Sequence, residues 1–227
     1  MALTSWPRWL RNIVLLPPRI HKSLRHRLRK VYGLQWRANR LVRKELSAES
    51  RTALSAVPGT TSDRDCRLLY YLARISPLGT ALVEIGAFKG KSTAWLAEAA
   101  RRDGRAMTSI DPQLKDSQEE FARTVRQFRI DEVAVIHKAF SHEIGKDWSG
   151  PIGLLWVDGG HDCETVRQDI QDFTPHLAAG GIAVFDDANE RRFPGVLRAL
   201  AETLRRDRAF QCLGDLRGLA IFKRIRS

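Results

Sequence analysis

The sequence predicts an α/β protein: a doubly wound, mostly parallel seven-stranded sheet ending in an antiparallel edge hairpin, with a basic helical arm in front. Three observations predict it. Apolar runs and amphipathic stretches alternate in strand-then-helix order from residue 81 onward. Polar residues recur at the ends of those runs, with Glu84 and Asp111 27 apart, Asp111 and His137 26 apart, and Asp158 and Asp186 28 apart. Each interval is about one strand–helix–strand crossover. Basic charge, finally, is confined to the start of the chain.

With 227 residues, 43% of them hydrophobic, the chain suits one domain with an appendage: an arm and linker over 1–60 and a body over 61–227. Residues 1–51 hold 13 Lys+Arg against 2 Asp+Glu, a balance of +11, and the remainder holds 25 against 24. The near-neutral body argues against nucleic acid as its partner. Cys66, Cys163 and Cys212 are odd in number and lack metal-ligand spacing, which fits free thiols in a reducing compartment such as the cytoplasm.

In the arm, the apolar run Ile13 to Leu16 is too short for a secretory core or a membrane span and is followed by Pro17 and Pro18. From Ile20 on, Leu24, Leu28, Val31, Leu34 and Leu41 follow helical spacing among arginines and lysines. This predicts a basic helix that packs on the body or on a second subunit, giving a homo-oligomer. Peripheral attachment to an anionic membrane surface through Trp6 and Trp9, RNA contact and disorder are the other readings.

Pro58 and Gly59 mark 55–62 as a linker. Leu68, Leu69, Leu72 and Ile75 share one side of a helix that starts at Asp63. Strand 81–86 then leads to helix 91–102, strand 106–111 to a helix around 116–128, and strand 133–138 to a short helical stretch near 140–148. Strand 152–158 leads to helix 163–173, and strand 181–187 to helix 195–207. The last runs, 209–214 and 218–225, are too close for a helical crossover and predict the hairpin.

In such sheets ligands bind beyond the carboxyl ends of the strands. There "VEIGAFKGKST" places Gly86 and Gly90 in a strand-to-helix turn. Their spacing is G-x-x-x-G, not the G-x-G-x-x-G of dinucleotide sites, and Ile85 stands where a phosphate loop needs glycine. Asp111 is placed to accept hydrogen bonds from ribose hydroxyls. Together they indicate an adenosine-containing ligand; the alternative is that the glycines serve only tight helix–sheet packing.

Farther along, parallel neighbours bring Asp158 close to Asp186 and Asp187. Three converging carboxylates need protons or a cation between them. Oxygen ligands favour Mg²⁺ or Ca²⁺ over zinc. The alternative has one acid capping a helix and another merely solvated.

"LVEIGAFKGKSTAWLA" with "SIDP" resembles the first motifs of the class I S-adenosylmethionine-dependent methyltransferases, a likeness that spans roughly residues 63 to 224. It implies their Rossmann-like fold, with S-adenosylmethionine as cofactor. It also implies Glu84 and Gly86 at the methionine end, Asp111 on the ribose, and Ser92 and Thr93 near the carboxylate. Residues 154–161 and 180–189 resemble the metal-dependent O-methyltransferases of the catechol and macrocin types. That likeness implies a divalent cation on Asp158, Asp186 and Asp187, the last following the macrocin variant where the catechol type has Asn. Macrocin types often carry Asp where this chain has Gly160, and the catechol type has Lys where it has His161. His161 is therefore the expected base. A metal or water ligand at His161, a base at Asp162, and a contact from Asn189 to metal or acceptor are the alternatives.

The expected activity is metal-assisted O-methylation of a saccharide or glycosylated small molecule, in the cytoplasm or at the inner face of a membrane. A catechol-like phenolic acceptor, or a non-catalytic nucleic-acid or membrane-binding role for the arm, stands as the alternative. The missing middle glycine and the three carboxylates speak against a nicotinamide-dependent oxidoreductase.

Overall fold

The computed structural model describes residues 22–113, 115–188, 192–216 and 218–226. Trp6, Trp9, the 13–16 run and Asn189 lie outside them, as do the side chains of Leu24, Leu28 and Val31. The arm contributes α1 (Lys22–Glu45) and α2 (Ala48–Ala56), and α3 (Asp63–Ile75) follows. Then come β1 (Ala81–Ile85), α4 (Lys91–Asp103), β2 (Met107–Ile110), α5 (Lys115–Phe128) and β3 (Ala134–His137). The second half holds α6 (Ser141–Gly145), β4 (Ile152–Val157), α7 (Cys163–Phe173), β5 (Leu177–Phe185), α8 (Pro194–Glu202), β6 (Phe210–Leu216) and β7 (Leu219–Arg224).

The seven strands form one sheet in the order β3-β2-β1-β4-β5-β7-β6. β1 to β5 run parallel, and β7 lies antiparallel between β5 and β6, so the expected hairpin forms and inserts its second strand inward. Period-two alternation divides the core into two layers. Leu82, Leu154, Trp156, Ile182, Val184 and Ile221 pack with the buried faces of α1 to α4. Val83, Leu155, Val157, Ala183, Phe185 and Phe222 pack on the opposite face with α7 and α8. Every residue of β4 is buried, as a central parallel strand covered on both sides must be.

Some boundaries differ from the pattern. α2 runs through Ala56, which shortens the linker, and β5 begins earlier than expected because Leu177 already pairs with Ile152 across a register shift. α8 stops at Glu202, short of the expected 207, and Arg205 beyond it pairs with Asp215 at 2.6 Å. α3 starts on its Ser62 cap, and α4 ends on Gly104 in left-handed conformation.

The described part of the arm packs on the body. Ala38, Val42 and Leu46 are buried against α3, with Leu34 and Leu41 flanking them, and α1 also leans on β6. Glu45 of α1 accepts hydrogen bonds from Tyr70 Oη at 2.7 Å and Arg74 Nε at 3.0 Å, while Arg74 also pairs with Asp103. Among the described residues no helix is long and apolar enough to cross a membrane.

Val42 is 1% exposed, so Val42→Asp should cost about 3 kcal/mol or more by urea denaturation, because the carboxylate enters an apolar seam. Arg40→Asp on the solvent side should change stability by less than about 0.5 kcal/mol.

Candidate active site

Each parallel ladder carries one hydrogen bond past its last strand residue. Gly86 N donates to Ile110 O at 2.9 Å, Asp111 N to His137 O at 3.0 Å, Asp158 N to Ile85 O at 2.8 Å and Asp186 N to Val157 O at 3.0 Å. The polar residues after β1, β2, β4 and β5 are thereby held in fixed order along the carboxyl edge of the sheet.

Gly86 and Gly90 both have left-handed backbones, at φ 89° and 91°. A Cβ on Gly86 would enter the Asp158 carbonyl, and one on Gly90 would lie 2.9 Å from Thr124 Cγ2. Close approach of neighbouring chain segments therefore accounts for both glycines. The turn between them is tied to the end of β2. Phe88 N donates to Asp111 Oδ2 at 2.8 Å, and Gln113 N to Asp111 Oδ1 at 2.6 Å. Phe88 stands partly in solvent and Asp111 is half-buried, so they form the accessible lip of this turn.

Beneath the lip, Glu84 is fully buried. Ser109 Oγ donates to its Oε2 at 2.8 Å, and the buried Ser92 and Thr93 stand beside the same carboxyl, the Thr93 hydroxyl without a hydrogen-bond partner of its own. Burial pushes that carboxyl up to about 7, against the pull of the three hydroxyls. Oε1 of Glu84 has no hydrogen-bond partner. Glu84, Ser92 and Thr93 thus form a polar knot under the turn, while Asp111 and the main chain of the turn face outward.

At the ends of β4 and β5, Asp158, His161 and Asp187 each present one ligand atom, and these atoms lie within 4.8 Å of one another. His161 Nε2 is 2.8 Å from Asp187 Oδ2, and its ring stacks on Phe193 with centroids 4.1 Å apart. Thr61 Oγ1 donates to Asp158 Oδ2 at 3.5 Å. Asp186 turns Oδ1 toward the Asp187 N–H at 2.9 Å and stands outside the group of three. Asp187 holds a left-handed backbone at φ 54°, which costs on the order of 1 kcal/mol and aims its side chain at His161. Burial, reinforced by Asp186 and Asp187, holds the Asp158 carboxyl well above the carboxylate range. Burial also lifts Asp186 to about 6, with the Asp187 charge adding to it and the backbone hydrogen bond opposing it.

Asp162 has another task. It caps α7, accepting from the Glu164 and Thr165 N–H groups at 3.1 and 2.9 Å and from Thr165 Oγ1 at 2.6 Å. Those bonds hold its carboxyl below the usual range, which makes it a poor base. Thr61 and Phe193 also belong to the site, without a strong signal in the sequence. Thr61 lies in the Pro- and Gly-marked stretch 55–62, and Phe193 is far along the chain from His161. The only signals were Ser62 and Asp65 opening a helix after Thr61 and Pro194 opening another after Phe193.

Residues 83–188 match the family model described as a methyltransferase domain. Among solved structures, the chain is similar to the O-methyltransferase TomG from Streptomyces achromogenes, crystallised with SAM, at 17% identity and TM-score 0.60, over 91% of this chain and 100% of that one. It is also similar to an O-methyltransferase from Bacillus cereus in complex with SAH, at 14% identity and TM-score 0.62, over 82% and 96% of the two chains. A third is CalS11, a TDP-rhamnose 3'-O-methyltransferase of calicheamicin biosynthesis, at 15% identity and TM-score 0.59, over 85% and 93%. These likenesses establish the fold.

The Glu84 carboxyl holds its proton up to about 7, against an ordinary value of 4.5. The folded state therefore binds that proton more tightly than the unfolded chain, and stability falls as pH rises through this window. Glu84→Gln should remove that fall, on the order of 3 kcal/mol between about pH 5 and pH 8 in urea denaturation. An identical pH dependence in the variant would refute the burial-driven shift.

Proposed function

We propose, from the match of residues 83–188 to a methyltransferase domain and the likeness of the fold to O-methyltransferases, that this chain is an S-adenosylmethionine-dependent O-methyltransferase, assisted by a divalent cation, that acts on a hydroxyl of a saccharide or glycosylated small molecule. The observation that carries the reading is the convergence of Asp158, His161 and Asp187 on one point beside the turn that Asp111 closes.

Both groups fit the residues present. Burial and the neighbouring acids that raise the Asp158 carboxyl mark a site short of positive charge, and the carboxylate oxygens of Asp158 and Asp187 suit a hard divalent cation such as Mg²⁺. Asp111, at the accessible lip, suits a ribose. When bound, the cation supplies Lewis-acid activation of a hydroxyl and S-adenosylmethionine supplies an electrophilic methyl group.

The chain's own residues do the rest. Asp158 and Asp187 would hold the cation, and Asp186 adds negative charge behind them. Asp187 also accepts the Nε2–H of His161, which leaves the Nδ1 lone pair free to take the proton from the acceptor hydroxyl. Stacking on Phe193 fixes the plane of that imidazole. A sugar hydroxyl is far less acidic than a phenol, so it needs both a cation and a base, and the site offers residues for each. The likeness to a TDP-rhamnose methyltransferase points the same way.

Two measurements test this. Calorimetric titration with S-adenosylhomocysteine should show binding that weakens at least about tenfold in Asp111→Ala; no binding to the wild type would sink the cofactor assignment. Asp158→Asn should abolish Mg²⁺-dependent turnover of a sugar acceptor and flatten the rise in melting temperature that Mg²⁺ produces in the wild type. Full activity in that variant would remove the cation from the mechanism.

A further inference from the structure

A second pocket lies where the arm meets the body. Asn39, Val42 and Arg43 of α1, Arg51 of α2 and Arg67 of α3 line an open cavity of about 260 Å³. Such a volume falls below the size of a whole ligand site and suits a compact group.

Three guanidinium groups line this space with little to balance them. Arg43 is exposed, with no acidic partner among the described residues. Arg51 Nη1 donates to the main-chain oxygen of Leu46 at 3.2 Å, and its charge is felt by the exposed Glu49 carboxylate nearby. Arg67 comes only within 3.9 Å of Asp63, a carboxylate that Lys91 holds more closely at 2.8 Å. Asn39 adds a buried side-chain oxygen without a hydrogen-bond partner. Rotating that amide would present its N–H₂ instead. Three forked donors and an amide around one cavity match the oxygens of a phosphate, which guanidinium binds in bidentate fashion.

The pocket also stands in a definite relation to the active site. Thr61, whose hydroxyl reaches Asp158, immediately precedes the cap of α3, and Arg67 lies in the second turn of that helix. From the Ser62 cap to Arg67 the rise along α3 is about 7.5 Å at 1.5 Å per residue, a span within the length of an elongated acceptor.

We propose that this pocket binds the phosphate or diphosphate group of a phosphorylated acceptor whose hydroxyl end reaches Asp158 and His161. The hydroxyl end rests on the reading given under Proposed function; the anion site does not. A nucleotide-linked and a lipid-linked sugar share this chemistry.

The test is calorimetric titration of the full chain with inorganic pyrophosphate, using wild type, Arg43→Ala and Arg67→Ala, with S-adenosylhomocysteine titrated in parallel. Arg43 is exposed, so its truncation leaves the fold intact. Saturable pyrophosphate binding, at least tenfold weaker in each variant while S-adenosylhomocysteine binding is unchanged, is the expected result. Absent or non-saturable binding in the wild type, or equal binding in all three proteins, overturns the site. If pyrophosphate binds and S-adenosylhomocysteine does not, the methyltransferase reading fails and the anion site survives. Two further ligands separate the sources. Tighter binding of uridine diphosphate than of pyrophosphate supports a soluble nucleotide-linked acceptor. Arginine-dependent sedimentation with phosphatidic acid vesicles, and not with phosphatidylcholine vesicles, supports a lipid-borne one.

Discussion

The site depends on the register of the parallel ladder. Because main-chain hydrogen bonds run one residue beyond β1, β2, β4 and β5, the residues that follow these strands cannot slide relative to one another. Gly86 makes the closest of these approaches, with its missing Cβ giving room to the Asp158 carbonyl. A side chain there would force β1 and β4 apart at the point where the polar groups converge. The position of the carboxylates is thus a property of the sheet and not of flexible loops.

That rigidity brings negative charge together. Glu84, Asp158 and Asp186 are all held above the ordinary carboxylate range, chiefly by burial. The strained backbone of Asp187 adds to the stored cost. A fold optimised only for stability would replace such a group with apolar residues of similar size. Keeping it is intelligible if a positively charged ligand releases the repulsion on binding.

Much of this could be read in the sequence. The strand-then-helix alternation and the crossover-length intervals from Glu84 to Asp111, Asp111 to His137 and Asp158 to Asp186 carry the sheet and its polar edge, because period and crossover length are local properties of the chain. Contacts between distant segments were less legible. Thr61 meets Asp158, and Phe193 meets His161, only through tertiary packing that no short window encodes. Periodicity places Leu34 and Leu41 on the apolar stripe of α1, yet among the described residues the deepest apolar positions are Ala38 and Val42, with Leu46 just past its end. Small and branched residues fit the close approach to α3, and the pattern alone did not rank them. Asp162 looked chemically able to act as a base, but its place one residue before α7 commits it to capping.

The inward position of β7 bears on how the chain is made. β5 gains its neighbour on that side only from residues 219–224, which are synthesised well after it. Until then Phe185 and its neighbours in β5 have an open flank, and α1, synthesised long before β6, has no β6 to lean on. The sheet therefore closes on that side only once residue 224 has been made, when α1 and β6, distant in sequence, can meet. Loss of residues 219–224 would remove a strand that is hydrogen-bonded on both sides and would detach β6 with it, and a nascent chain that still lacks them is the stage most exposed to aggregation.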